Sequence, residues 1–119
     1  MAEILIAEDD GSMRGFLKLA LEKAGHHVDV CEDGLKALNA LTKRRYDLLL
    51  ADIVMPEMDG VELATRAKDV DSDLKVMFIT GFAAVAMSER NPLRQTTEVL
   101  SKPFHLKELV DQVDKLLAA

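Results

Sequence analysis

Four short apolar runs in this chain end in residues able to do chemistry. EILIA, Glu3 to Ala7, stops at Glu8-Asp9-Asp10, and DLLLAD, Asp47 to Asp52, closes on Asp52. KVMFIT ends in Thr80, and the run Glu98 to Ser101 is followed at once by Lys102. If Glu8, Asp9 and Asp52 share one crevice, three carboxylates cannot all stay ionised at low cost without a cation among them. A hard divalent ion fits best: Mg²⁺ takes one or two protein carboxylates, keeps waters and accepts phosphate oxygens, unlike a closed zinc site. Thr80 offers a hydroxyl donor and Lys102 an ammonium, and both suit phosphoryl oxygens. Together they suit attack of the Asp52 carboxylate on a phosphoryl donor, with Mg²⁺ and Lys102 offsetting charge on the equatorial oxygens. Singly, each residue has a plainer reading. An acid after a strand caps a helix or faces water, Thr80 is a strand residue and Lys102 a solvated charge. Asp10 is given that plainer reading; the others carry chemistry only as a set.

The elements that must bring this set together are legible as alternating strands and helices, the pattern of a parallel sheet between helices. Strands are expected over Glu3 to Ala7, His27 to Cys31, Asp47 to Asp52, Lys75 to Thr80 and Glu98 to Ser101. The first helix begins near Ser12 as N-cap, carries Met13, Phe16, Leu17, Ala20, Leu21 and Ala24 at helical spacing, and ends at Gly25. The second opens at Asp33-Gly34 with a stripe of Leu35, Leu38 and Leu41. A third carries Val61, Leu63, Ala64 and Ala67, a weakly patterned fourth runs from Ala83 to about Arg90, and a fifth carries Leu106, Leu109, Val110, Val113, Leu116 and Leu117. Five such units predict an α/β fold: a doubly wound five-stranded parallel sheet, strand order 2-1-3-4-5, flanked by five helices. That order sets strand 1 beside strand 3 at the topological switch point, where ligands bind at the carboxyl ends of strands.

With 119 residues, one domain spanning residues 1–119 and no output domain is expected. A net charge of −6, 4% aromatic residues and no Trp argue against nucleic-acid or anionic-lipid binding. The longest uncharged stretch, Val76 to Ser88, is too short for a membrane span, and the acidic start leaves no room for a secretory signal, so a cytoplasmic location is expected. Cys31, the single cysteine, forms no internal disulfide and fits a small packing role.

AEDD at Ala7 to Asp10, ADIVMPEMDG at Ala51 to Gly60, ITG at Ile79 to Gly81 and SKPF at Ser101 to Phe104 resemble, in this order and spacing, the receiver domains of bacterial two-component response regulators. The resemblance covers the whole chain. It implies a phosphoacceptor signalling switch that assists only its own phosphorylation and dephosphorylation. It assigns Asp52 as phosphoacceptor, Glu8 and Asp9 as the acidic pair, Val54 as a backbone-carbonyl metal ligand, Thr80 as switch hydroxyl and Lys102 as phosphate-binding lysine. It also implies a cis peptide at Lys102-Pro103. DLLLADIVMPEMDG, KVMFITGFAAVA and VLSKPFHL are similar to single-domain members from alphaproteobacteria. That similarity implies phosphate from a histidine kinase through a histidine phosphotransferase, polar localisation, and control of ClpXP-dependent proteolysis and cell-cycle signalling through the protease and its clients.

Departures from the family pattern carry information too. Val99 stands where many receivers have an aromatic residue three positions before the lysine. Val54 and Phe82, two residues after Asp52 and Thr80, cannot orient water, which predicts a long-lived phosphoryl group. Phe82 to Met87 reads as a core-facing helix, with a shallow partner surface as the alternative. The Leu-Ala-Ala ending is either a fraying helix or a degradation signal, and His26, His27 and His105 lack ligand spacing with the acids. An aspartyl-phosphate phosphatase would need a second Asp at position 54. A flavin carrier would need a phosphate-cradling first loop, where EDDGSM is acidic. An interaction module that never receives phosphate leaves the full set of site residues without a use.

Overall fold

The computed structural model describes residues 1–82 and 86–118. Strands β1 (Glu3–Ala7), β2 (His27–Cys31), β3 (Leu48–Asp52), β4 (Lys75–Thr80) and β5 (Glu98–Ser101) form one sheet in the order β2-β1-β3-β4-β5, all parallel. Parallel strands covered on both faces need apolar side chains on both, and the wholly buried β3 and the buried body of β1 explain their unbroken hydrophobic runs.

Helices α1 (Gly11–Lys23), α2 (Gly34–Lys43), α3 (Gly60–Val70) and α4 (Leu106–Ala118) flank the sheet. Alternate strand residues divide the core in two. Leu5, Ala7, Leu49, Ala51, Val76 and Phe78 pack with α2 and α3, while Ile4, Ile6, Leu48, Leu50, Met77 and Ile79 pack with α1 and α4. Both layers hold the carboxyl ends of β1, β3, β4 and β5 at one edge.

Four helices are therefore described where five were expected. The helix expected over Ala83 to about Arg90 falls partly on residues 83–85, outside the described set, and residues 87–97 run as turns. Three local expectations are corrected. Asp10, not Ser12, caps α1, because its carboxylate reaches the backbone N–H groups of Ser12 and Met13 at 2.9 and 3.2 Å. Leu35 is exposed on α2, which instead buries Ala37 and Leu41 while Leu38 packs part-buried at the core edge. The cause is close packing at the start of α2, where a Cβ on Gly34 would come 3.1 Å from Met58. The third strand starts at Leu48 rather than Asp47, whose carboxylate accepts the Glu3 N–H at the strand's entry, and Gly25 ends α1 with φ +98°. Met55 and Met58 are core residues, Met13 packs at the core edge, and Cys31 is half-buried beside the α2 layer.

Candidate functional site

Register places the chemistry. β1 and β3 pair through Ala7 and Ala51, so the residues that follow, Glu8 and Asp52, emerge side by side. One carboxylate oxygen from each of Glu8, Asp9 and Asp52 lies within 4.8 Å of the others. Glu8 and Asp52 are buried and Asp9 is exposed, so the cluster opens to solvent on one side. Among the described residues it is the one group of three metal-competent side chains.

Lys102 reaches the cluster from the edge strand. Its backbone N–H donates to the Thr80 carbonyl at 2.8 Å, extending the β4–β5 pairing by one residue. Its Nζ then donates to Asp52 Oδ2 at 2.9 Å and lies 3.3 Å from Glu8 Oε1. The Lys102-Pro103 peptide is cis. Burial opposes the ammonium charge, but the hydrogen bond to Asp52 and the fields of Asp52 and Glu8 together hold the Lys102 pKa above the ordinary lysine value. Glu8 moves in the unusual direction for an acid. Burial pushes its carboxyl up to about 7 against the hydrogen bond it accepts from the Asp10 N–H, and the Asp52 charge adds to the rise.

Asp52 Oδ1 accepts from the Val54 N–H at 3.2 Å, so both oxygens of this carboxylate already have donors. Thr80 is fully buried at the end of β4, beside Ser101 and one residue beyond the partner of Asp52. Its Oγ1 accepts the Phe82 N–H at 2.9 Å and keeps its own hydrogen to donate. Val54 and Phe82 are exposed at the rim. Gly60 closes the loop from beneath, donating its N–H to the Ile53 carbonyl at 2.8 Å.

The structure thus brings together Glu8, Asp9, Asp52 and Lys102, with Thr80 and Val54 at the same strand ends. It also reveals two residues that sequence patterning passed over. Arg14, on α1, sends Nη1 to the Glu8 carbonyl at 2.8 Å and lies 3.5 Å from that of Asp9. Asn91 is fully buried, its amide joining the Ala86 carbonyl to the Leu93 N–H. Neither hydrogen-bonds a side chain in these contacts, so residue type and spacing carried no signal. His26 and His27 pair with acids outside the cluster, His26 with Asp114 and His27 with Glu3.

Residues 4–114 match the family model described as "Response regulator receiver domain". The chain belongs to this family. This receiver domain is 56% identical over 119 residues to the response regulator receiver protein CpdR of Brucella abortus, covering 100% of this chain and 99% of that one. It is 33% identical to sporulation initiation phosphotransferase F of Bacillus subtilis, over 97% and 93% of the two chains. Among solved structures, Vibrio cholerae chemotaxis protein CheY4 superposes with a TM-score of 0.88 at 25% identity, covering 98% of each chain. The response regulator TrrA of Thermotoga maritima, solved in complex with Mg²⁺-BeF, gives 0.86 at 30% identity over 98% and 99%. As a receiver the protein is a signalling switch of a two-component phosphorelay rather than a metabolic enzyme, and its partner class is a histidine kinase or phosphotransferase. No helix among the described residues is long and apolar enough to cross a membrane.

Proposed function

We propose that Asp52 accepts a phosphoryl group from a phosphohistidine donor in a Mg²⁺-dependent reaction. The observation that carries this reading is the Lys102 ammonium, 2.9 Å from Asp52 and 3.3 Å from Glu8 inside a three-carboxylate corner. The donor set fits Mg²⁺, being all oxygen, open on one side and short of a full coordination sphere. Glu8, Asp9, Asp52 and the Val54 carbonyl would hold the ion, which when bound offsets charge on the transferred group. Asp52 supplies the attacking oxygen. Lys102 steadies one phosphoryl oxygen by a charge-assisted hydrogen bond, and the Thr80 hydroxyl donates to another. Because Thr80 Oγ1 accepts the Phe82 N–H while its own hydrogen turns to the phosphoryl oxygen, that second bond links the phosphoryl group to the segment after β4.

Beside Lys102, Met13, Phe16, Pro103 and Phe104 line an apolar hollow, with the two phenyl rings 6.5 Å apart. Such a rim suits the helix of a histidine phosphotransferase presenting its phosphohistidine to Asp52. The output reading rests on the resemblance of DLLLADIVMPEMDG, KVMFITGFAAVA and VLSKPFHL to single-domain alphaproteobacterial receivers: control of ClpXP-dependent proteolysis in cell-cycle signalling, the unphosphorylated form assisting the protease and phosphorylation switching it off. In this reading the receiver works in the cytoplasm, with polar localisation, through contacts of its own surface. Phe82, whose N–H bonds the switch hydroxyl, and Met87 are exposed and Val99 on β5 is half-buried, and these apolar residues suit such contacts; residues 83–85 lie outside the described residues.

The test is intact mass after treatment with acetyl phosphate or a phosphohistidine protein plus Mg²⁺. Wild type is expected to gain about 80 Da, the size of a phosphoryl group, and Asp52→Ala nothing. No gain on wild type, or equal gain on both, refutes the assignment.

A further inference from the structure

Arg14 lies in the opening turns of α1, where its backbone N–H bonds the carbonyl of Asp10, the residue whose carboxylate caps that helix. It is also a fixed positive charge next to a corner read above as a cation site. What holds it there is main-chain oxygen: Nη1 donates to the Glu8 carbonyl at 2.8 Å and reaches toward the Asp9 carbonyl at 3.5 Å. The corner is tied at further points. The Glu8 N–H donates to the Cys31 carbonyl at 3.1 Å, the Asp10 N–H to Glu8 Oε2 at 3.1 Å, and the Arg14 N–H to the Asp10 carbonyl at 2.8 Å. These contacts fix β1 on one side and α1 on the other. Asp9 lies between them with an exposed side chain, so its place in the acid cluster depends on how its backbone is held.

We infer that Arg14 is a positioning residue. Its guanidinium pins the Glu8 and Asp9 carbonyls so that the two carboxylates converge with Asp52 on a divalent cation. The inference rests on reading that cluster as the Mg²⁺ site. It differs in sign from an electrostatic role. Removing a cation near a cation site tightens Mg²⁺ if charge is all that matters, whereas removing a positioning group loosens it.

The experiment is calorimetric titration of the full chain with MgCl₂ alone, alongside far-UV circular dichroism and thermal melts. Arg14→Gln is expected to weaken Mg²⁺ by about tenfold, the usual scale for a residue that orients metal ligands. Arg14→Lys keeps the charge and a donor that can reach a single carbonyl, so a smaller loss is expected. Unchanged or tighter Mg²⁺ binding by a folded Arg14→Gln overturns the inference. Should Arg14→Gln not fold, Arg14→Lys decides, and wild-type affinity there overturns it. Failure of the wild-type chain to bind Mg²⁺ overturns the cation reading and this inference together, whereas equal binding by wild type and Arg14→Gln overturns this inference alone.

Discussion

Gly60 opens α3 directly beneath the phosphoacceptor, and adding one methyl group there tests how rigidly Asp52 is held. A Cβ at this position would lie 2.2 Å from the Asp52 carbonyl oxygen and 2.9 Å from both the Asp52 carbonyl carbon and Ile53 Cα. Ordinary contact begins at 3.4 Å, so α3 or the Asp52 peptide must move by about 1 Å. The obstructing atoms are backbone and cannot rotate aside. Retreat of α3 also stretches the 2.8 Å hydrogen bond from the Gly60 N–H to Ile53. Overpacking of this kind costs about 1–3 kcal/mol and the weakened hydrogen bond about 1 more, so Gly60→Ala is expected to lose roughly 2–4 kcal/mol. For a domain this size that lowers Tm by roughly 10 °C. If the Asp52 peptide moves instead, its carboxylate leaves the 2.9 Å reach of Lys102, and phosphorylation by acetyl phosphate slows by about 100-fold. Gly15→Ala is the control of opposite sign. No atom lies within 4 Å of its Cβ, and the exposed mid-helix site is expected to gain about 0.5–1 kcal/mol. Thermal melts and timed intact-mass measurements read both. A Gly60→Ala protein within about 0.5 kcal/mol of wild type, and phosphorylated at the wild-type rate, would show that the loop yields freely and that Asp52 is not held by packing.

Three further outcomes are expected. Folded Glu8 titrates at about 7 against an ordinary value of 4.5, so the folded chain holds this proton more tightly than the unfolded one. The stability it contributes is complete below about pH 4.5 and is lost as pH rises through about 7, on the order of 3 kcal/mol, in urea titrations without divalent ions. Glu8→Gln flattens this dependence; a wild-type profile no steeper than that of the variant contradicts the assignment. With Val54 and Phe82 at the rim, radiolabelled phosphoprotein is expected to persist for many minutes, and decay within seconds would show that water is oriented by another group. Phe16→Glu is expected to slow transfer from a phosphohistidine protein by tenfold or more while leaving acetyl phosphate labelling unchanged; equal slowing of both reactions would remove the apolar hollow from donor docking.

What was legible in the sequence follows from where the physics is local. Strands buried on both faces have no choice but continuous apolar runs, so β1, β3 and β4 and the acids or hydroxyl at their ends could be read directly. Register then did the assembling, because parallel pairing of β1 with β3 leaves Glu8 and Asp52 adjacent. Leu35 was misplaced because an apolar stripe does not encode how closely the start of a short helix abuts Met58. The cap of α1 falls two residues before Ser12 because Asp10, given the plain reading of a cap or solvated acid, turns its oxygen back to the N–H groups of Ser12 and Met13. Arg14 and Asn91 act on main-chain carbonyls and N–H groups, which every residue carries, so their partners come into view only with the backbone trace.

The pairing of Lys102 with Asp52 also bears on how the resting site stays folded. Glu8 and Asp52 are both buried, and two unpaired buried carboxylates would be strongly destabilising. The site meets this with one cation and one proton. Lys102 neutralises Asp52 at 2.9 Å, and the raised pKa of Glu8 lets it keep its proton over part of the physiological range. Both compensations are reversible. A Lys102 ammonium that turns toward a phosphoryl oxygen stays within hydrogen-bonding reach of the residue bearing that group, and a Glu8 that ionises becomes a better cation ligand. Replacing Lys102 with Met, a similar length without charge, removes the first compensation and also the charge that opposes the rise of the Glu8 pKa. Asp52 would then be buried without its cation, and a loss of about 3 kcal/mol is expected, recovered in large part by adding Asp52→Asn, because the double variant buries no uncompensated charge. Equal stability of Lys102→Met and the double variant would mean that the ammonium contributes nothing to holding the resting corner together.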